Sequence, residues 1–191
     1  MGSRSLRRSV APRDWVVRYA EPAEFDDVAA LLLRANAQYR ADMPPGIFRA
    51  YRENLRALAL DPGQQEACEI LVVGAADGGL RGTVSLFPDA ASEELGWPKG
   101  WAGLRALAVD PAARGHGLGR RLIEAAISRA RAIGAPILAL HNAPFQAAAR
   151  RLYLDLGFTR CPQYDFDVGD MPGIAGTGER MRVEALTLNL R

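Results

Sequence analysis

Apolar residues recur along this chain with two periods, and the changeovers between them mark the elements. WVVRYA at 15–20 is a β-branched and aromatic run that predicts a strand, and Glu21-Pro22 then opens a helical stripe through Phe25, Val28, Ala29, Leu32 and Leu33. Pro44-Pro45 begins a second helix through Phe48, Tyr51, Leu55 and Leu58, stopped by Asp61-Pro62-Gly63. EILVVGAA at 69–76 and GLRGTVSLF at 79–87 are joined by Asp77-Gly78-Gly79, which accepts the positive φ of a tight turn and predicts a hairpin. Residues 88–100 hold Pro88, Asp89, Glu93, Glu94, Gly96, Pro98 and Gly100 and read as an exposed loop.

WAGLRALAVD at 101–110 is a strand broken by Pro111, and 117–134 repeats Leu122, Ile123, Ala126, Ile127, Ala130 and Ile133 on one helical face before Gly134 and Pro136 end it. PILALH at 136–141 predicts a buried strand, and Phe145, Ala148, Ala149, Leu152 and Leu156 mark a helix ended by Gly157. Residues 158–166 and 182–190 are further strands, separated by a Gly-rich connection over 167–180. The order βααββ, βαβα, ββ is that of a mixed α/β sheet flanked by about four helices, with the strand–helix–strand unit parallel.

The chain has 191 residues, 49% apolar and 24% charged, which suits one globular domain over 15–191. Arg4, Arg7, Arg8 and Arg13 precede the first acid, so 1–14 reads as a flexible basic tail. A net charge of +2 makes no electrostatic case for nucleic acid or a membrane surface, and the arginines of helix 120–131 read as a solvated face. Cys68 and Cys161 have no metal-ligand spacing, so free thiols and no metal site are expected. No apolar run reaches the length of a bilayer span, and the first residues lack both an apolar signal core and the Ser or Thr that myristoylation needs where Leu6 stands. A cytoplasmic location is the expectation.

Chemistry concentrates in AVDPAARGHGLGRRL at 108–122, where strand, turn, Arg-x-x-Gly-x-Gly and helix start follow in line. A helix N-terminus presents unpaired N–H groups and positive dipole, and glycines at 115, 117 and 119 let phosphate oxygens approach them. A P-loop would need Lys after Gly119, and a dinucleotide fingerprint would need Gly at Arg120 and an acid near Ala139 and Leu140. Neither is present.

The segment resembles the acyl-CoA loop of the GNAT superfamily of N-acyltransferases. Arg114, Gly117, Gly119 and the preceding Leu107-Ala108-Val109-Asp110-Pro111 match its pattern, and Ala149, Leu152-Tyr153 and Gly157-Phe158 match its closing helix. The resemblance covers about residues 15–166. It implies a GNAT-like, mostly antiparallel sheet with a central parallel strand pair splayed at the acyl-CoA site.

The resemblance further implies that Leu107, Ala108 and Val109 pair their backbone with the pantetheine arm, with the Val109 N–H aimed at the thioester carbonyl. Arg114, Gly115, His116, Gly117, Leu118, Gly119 and Arg120 then hold the pyrophosphate, and Tyr153 protonates the leaving thiolate. Leu152 and Leu156 beside it make a purely packing Tyr153 the alternative. Gln146 stands where relatives have Asn, with Asn142 as a substitute partner for the pantetheine amide alongside Ala149.

The general base is unassigned, because Gly103 stands about where relatives carry a glutamate. His141 is one candidate on chemistry, with a structural histidine as the other reading. Glu21, Glu24, Asp89, Glu93 and Glu94 are further candidates or solvated acids, and a water relay would also serve. The reading is an N-acetyltransferase using acetyl-CoA and no metal on a small-molecule amine or peptide acceptor, with a homodimer one arrangement it allows. The alternatives are a silent acyl-CoA-binding module and a nucleic-acid- or partner-binding domain. The Trp97–Trp101 loop and the Gly-rich stretch are candidates for shaping the acceptor pocket.

Overall fold

The structure is a computed structural model that describes residues 15–74 and 79–191; segment 1–14 and the Asp77-Gly78 part of the hairpin turn lie outside the described residues. In chain order the elements are β1 (Val17–Tyr19), α1 (Phe25–Asn36), α2 (Pro45–Leu60), α3 (Pro62–Ala67), β2 (Glu69–Gly74), β3 (Leu80–Phe87) and β4 (Ala102–Val109). There follow α4 (Leu118–Ala132), β5 (Ile137–Asn142), α5 (Ala147–Asp155), β6 (Thr159–Arg160), β7 (Phe166–Asp167) and β8 (Arg182–Asn189). The strands form one sheet in the order β1-β2-β3-β4-β5-β8-β6, with β7 paired to β8. β4 and β5 are its parallel pair, as expected, and the other pairs are antiparallel.

Each face of the sheet has its own core, because each helix buries only one stripe. α1 and α2 lay Val28, Leu31, Leu32, Leu55 and Leu58 against Val72 and Phe87. On the opposite face α4 packs Leu118, Leu122, Ile123 and Ala126 against Val84, Leu86, Leu104 and Leu138, and Tyr153 and Phe158 join this core.

Three expectations are corrected. Asp61-Pro62-Gly63 ends α2 but also begins α3, because the Asp61 carboxylate accepts from the Gln64 N–H at 3.1 Å and Pro62 occupies the first helical turn, where no N–H is needed. That makes five α-helices among the described residues. Residues 158–166 form no continuous strand. Thr159–Arg160 and Phe166–Asp167 pair with β8, while Pro162, which has no N–H for a ladder, starts a 3₁₀ turn between them. The segment 88–100 is no exposed loop either. Ala90 and Trp97 are 0% and 4% exposed and pack with Ala139 and Ala185, covering the open face of β5 and β8.

The Gly-rich connection is fastened back onto the other end of the chain. The Glu179 carboxylate accepts from the Gly46 and Ile47 N–H groups at 3.0 and 2.7 Å, in the first turn of α2. A carboxylate at a helix N-terminus is favoured by the orphan donors and by the dipole.

Candidate active site

The parallel pairing of β4 and β5 ends at Leu104↔Leu140, yet β4 runs on to Val109 and β5 to Asn142. The two strands therefore splay. A register shift against β3, between Ser85↔Arg105 and Thr83↔Ala108, shows why: the strand carries an extra residue there, and Ala106 sits at φ +55°. Left-handed backbone at a non-glycine residue is strained, and a bulge bends and twists its strand. Beyond the bulge Asp110 N–H donates to Arg81 O at 2.8 Å. Alternation along an antiparallel strand then points Ala108 at β3 and turns the Val109 N–H into the gap.

At the outer end of the gap stands α4. Its first intrahelical bond from this turn runs from Arg121 N–H to Gly117 O, so the N–H groups of Leu118, Gly119 and Arg120 precede the ladder, an arrangement that suits an anion. Gly115 and Gly117 lie at φ +79° and +76° with open space around a would-be Cβ, so glycine is required there by backbone conformation. Gly119 differs. It is helical, and a Cβ there would meet Leu152 Cδ2 at 3.4 Å, an ordinary contact turned towards the gap rather than the helix end.

Two side chains of the loop serve the loop itself. Arg114 donates to Gln38 Oε1 at 2.8 Å, Ala35 O at 3.0 Å and Val109 O at 3.3 Å, tying the loop to the end of α1. His116 places Nδ1 at 2.9 Å from Arg114 O and its ring edge-on to Trp15, 5.3 Å away. Arg120 is exposed and reaches Glu124 and Asp155 only at 3.7 and 4.0 Å, which leaves it able to swing to a phosphate.

At the inner end of the gap lies a cavity of about 630 Å³ lined from both halves of the chain. Leu104, Arg105, Ala106 and Leu107 of β4, His141, Ala149 and Tyr153 form one wall; Tyr39, Met43, Ile47, Phe145, Ile174 and Met181 form an apolar one. Val168, Met171, Pro172 and Gly173 of the Gly-rich stretch also line this cavity. Trp97 and Trp101 stand behind it: Trp97 stacks on His141 at 4.4 Å and meets Trp101 at 6.3 Å.

Tyr153 is 7% exposed, its ring 5.7 Å from Phe158, and its hydroxyl makes no hydrogen bond among the described residues. Burial pushes its pKa well above the ordinary tyrosine value, so the phenol stays protonated. Packing and cavity-facing roles coexist in this side chain.

His141 lines the cavity with one ring nitrogen engaged. Its Nε2 lies 2.8 Å from Tyr164 O, which accepts from it, and burial lowers the imidazole pKa to about 4. Asn142 is 1% exposed; its amide donates to Ala143 O at 2.9 Å, and its Oδ1 has no partner among the described residues. Gln146 accepts from Ala143 N–H at 2.9 Å, which closes the turn before α5.

Of the acids weighed as bases, Glu24 pairs with Arg18 at 2.6 Å and Asp89 caps the turn that follows it. Glu93 alone among those five lines the cavity. Its side chain is 2% exposed, a burial with no local signal, because the turn that carries it is covered by residues distant along the chain. Cys68 and Cys161 are free thiols, and no group of metal-ligating side chains occurs among the described residues. No helix there is long and apolar enough to cross a membrane.

Similar folds are known. YncA from Salmonella typhimurium, whose structure holds its cofactor acetyl-CoA, is 20% identical with a TM-score of 0.61 over 93% of this chain and 95% of its own. The ribosomal-protein-S18-alanine N-acetyltransferase from Escherichia coli is 21% identical with a TM-score of 0.62 over 92% of this chain and 94% of its own. A GNAT-family acetyltransferase from Staphylococcus aureus Mu50 is 13% identical with a TM-score of 0.66 over 93% and 99%. No curated protein sequence matches the chain. The model of the acetyltransferase (GNAT) family matches residues 33–158, which hold the splayed strands, the start of α4 and Tyr153, and the chain belongs to that family.

Proposed function

We propose that this chain transfers the acetyl group of acetyl-CoA directly onto a primary amine carried by a small molecule or peptide, both substrates being bound at once. The observation that carries this is the gap between β4 and β5, which has a helix start at one end and Tyr153 with a cavity of about 630 Å³ at the other. The residues suit acetyl-CoA. The N–H groups of Leu118, Gly119 and Arg120 with the Arg120 side chain would hold the pyrophosphate, and the free edge of β4 would hold the pantetheine arm.

When bound, acetyl-CoA supplies an activated acyl group whose thiolate must leave. The Val109 N–H, turned into the gap, would stabilise charge on the thioester oxygen. Tyr153 would give its phenolic proton to the departing sulfur. The wall of Met43, Ile47, Phe145 and Ile174 favours an acceptor with an apolar body next to its amine.

Thiol release from acetyl-CoA over a panel of arylalkylamines, polyamines, amino acids and peptides tests the reading. Proton donation typically contributes ~10²–10⁴-fold, so Tyr153→Phe should lower kcat with a working acceptor at least tenfold while the KM for acetyl-CoA stays nearly unchanged. Acetyl-CoA binding with no thiol release over the whole panel would instead make the chain a silent acyl-CoA module.

A further inference from the structure

We propose that Glu93 is the general base of this transfer, its carboxylate taking a proton from the acceptor's ammonium group in the cavity that also holds Tyr153. The proposal rests on the transferase reading above and adds the residue that reading lacks.

The Glu93 carboxylate is placed where a structural role returns nothing. Its Oε1 is buried and without a hydrogen-bond partner, and Oε2 reaches only Arg105 Nε at 3.6 Å. A buried acceptor left unpaired is costly, so its retention there points to a ligand that completes it. An ammonium nitrogen in the cavity would do so.

Gly103 makes the position available. A Cβ on that residue would overlap Glu93 Oε1 and lie 3.0 Å from Glu93 Cδ and 3.1 Å from Ala90 Cβ, so the carboxylate occupies the space that a side chain on β4 would otherwise fill. The short 3₁₀ turn Ala90–Glu93 that carries it is held firmly. Asp89 Oδ1 accepts from the Ala91 and Gly100 N–H groups at 3.2 and 3.1 Å, and Ala90 N–H donates to Trp101 O at 2.7 Å. Preorganisation of this kind is what proton transfer at a fixed atom requires.

The charged and titratable groups around Glu93 are Arg105 on β4, the Cys68 thiol just before β2, and His141 on β5 in the same cavity. Burial raises the Glu93 carboxyl to about 8, with Arg105 pulling the other way. A carboxyl balanced near neutrality accepts protons more readily than an ordinary one and can release them again to solvent. His141, with Nε2 engaged at Tyr164 O, is the poorer acceptor.

The step balances as follows. Glu93 takes one proton from R–NH₃⁺, the amine lone pair forms the N–C bond to the acetyl carbon, and the C–S bond breaks. The thiolate takes the Tyr153 proton, the phenolate recovers the second nitrogen proton, and Glu93 returns its own to water. The net products are the amide, CoA thiol and one H⁺.

The test uses the full chain with acetyl-CoA and 2-phenylethylamine, chosen for the apolar wall, alongside the amine panel. Expected for wild type is a kcat/KM for the amine that rises with pH through about 8. Glu93→Gln should lower it at least a hundredfold, flatten that rise and leave the KM for acetyl-CoA unchanged, whereas Glu94→Gln, on the exposed neighbour, should behave as wild type. Gly103→Ala, which displaces the carboxylate without removing it, should lower kcat in folded protein and serves if Glu93→Gln fails to fold. Wild-type turnover and an unchanged pH limb in either folded variant overturn Glu93 alone. A wild type that releases no thiol with any amine overturns the transferase reading and Glu93 with it.

Discussion

Glu93 carries its cost openly, and that cost can be read by titration. Its carboxyl sits near 8 in the fold against an ordinary value of 4.5, so the folded chain holds a proton that the unfolded chain gives up first. Stability from this group is present at low pH and is lost as pH climbs from about 4.5 towards 8, at up to ~1.4 kcal/mol per pH unit. Glu93→Gln removes the titration. Denaturant melts at pH 5 and pH 9 should show wild type losing more stability than the variant across that interval, and the variant the more stable of the two at pH 9. A Glu93→Gln variant that proves more stable at pH 9 yet less active would mark the group as one retained for function. The glycines of the loop separate in the same way. Gly117→Val, at φ +76°, should abolish acetyl-CoA binding by calorimetry, while Gly119→Ala, meeting only Leu152 at 3.4 Å, should bind within a few-fold of wild type.

Between elements, the bulge in β4 is the feature on which the gap depends. Ala106→Gly would relieve the left-handed strain and should raise stability by up to ~1 kcal/mol, offset in part by glycine's greater freedom when unfolded. Acetyl-CoA turnover in the same variant should fall, since a looser bulge no longer holds the Val109 N–H in one place. What the sequence showed of this region follows from how local each signal is. Alternation and helical stripes in 101–158 come from residues that stay close along the chain, and the glycine loop is read from adjacent positions. The bulge at Ala106 leaves no mark in residue type, because an alanine in left-handed backbone is strained rather than preferred. Burial of Glu93 and Trp97 was equally hidden: the Pro, Gly and acidic residues of 88–100 suit a solvent loop, and only the packing of Trp97 on His141 and of Ala90 against Ala185 turns that segment inward. The second helix start at Asp61-Pro62 was present in sequence, since a cap and a first-turn proline can close one helix and open the next.

For the molecule as a whole, substrate binding should read out as stability. Acetyl-CoA at one hundred times its dissociation constant should stabilise the fold by roughly 2.7 kcal/mol, and an unmoved melting temperature under those conditions would remove the donor site from α4. The clamp of Glu179 on Gly46 and Ile47 has a different consequence, one of chain order. The proposed donor side, from β4 through α5, is a single stretch of a little over a quarter of the sequence. The proposed acceptor wall is assembled from α2 and a strap more than a hundred residues later, and it is complete only when the last third of the polypeptide has arrived. A cut within Gly173–Gly178 should therefore leave acetyl-CoA affinity intact while loosening the hold on the amine, so that one half of the reaction survives the loss of the other.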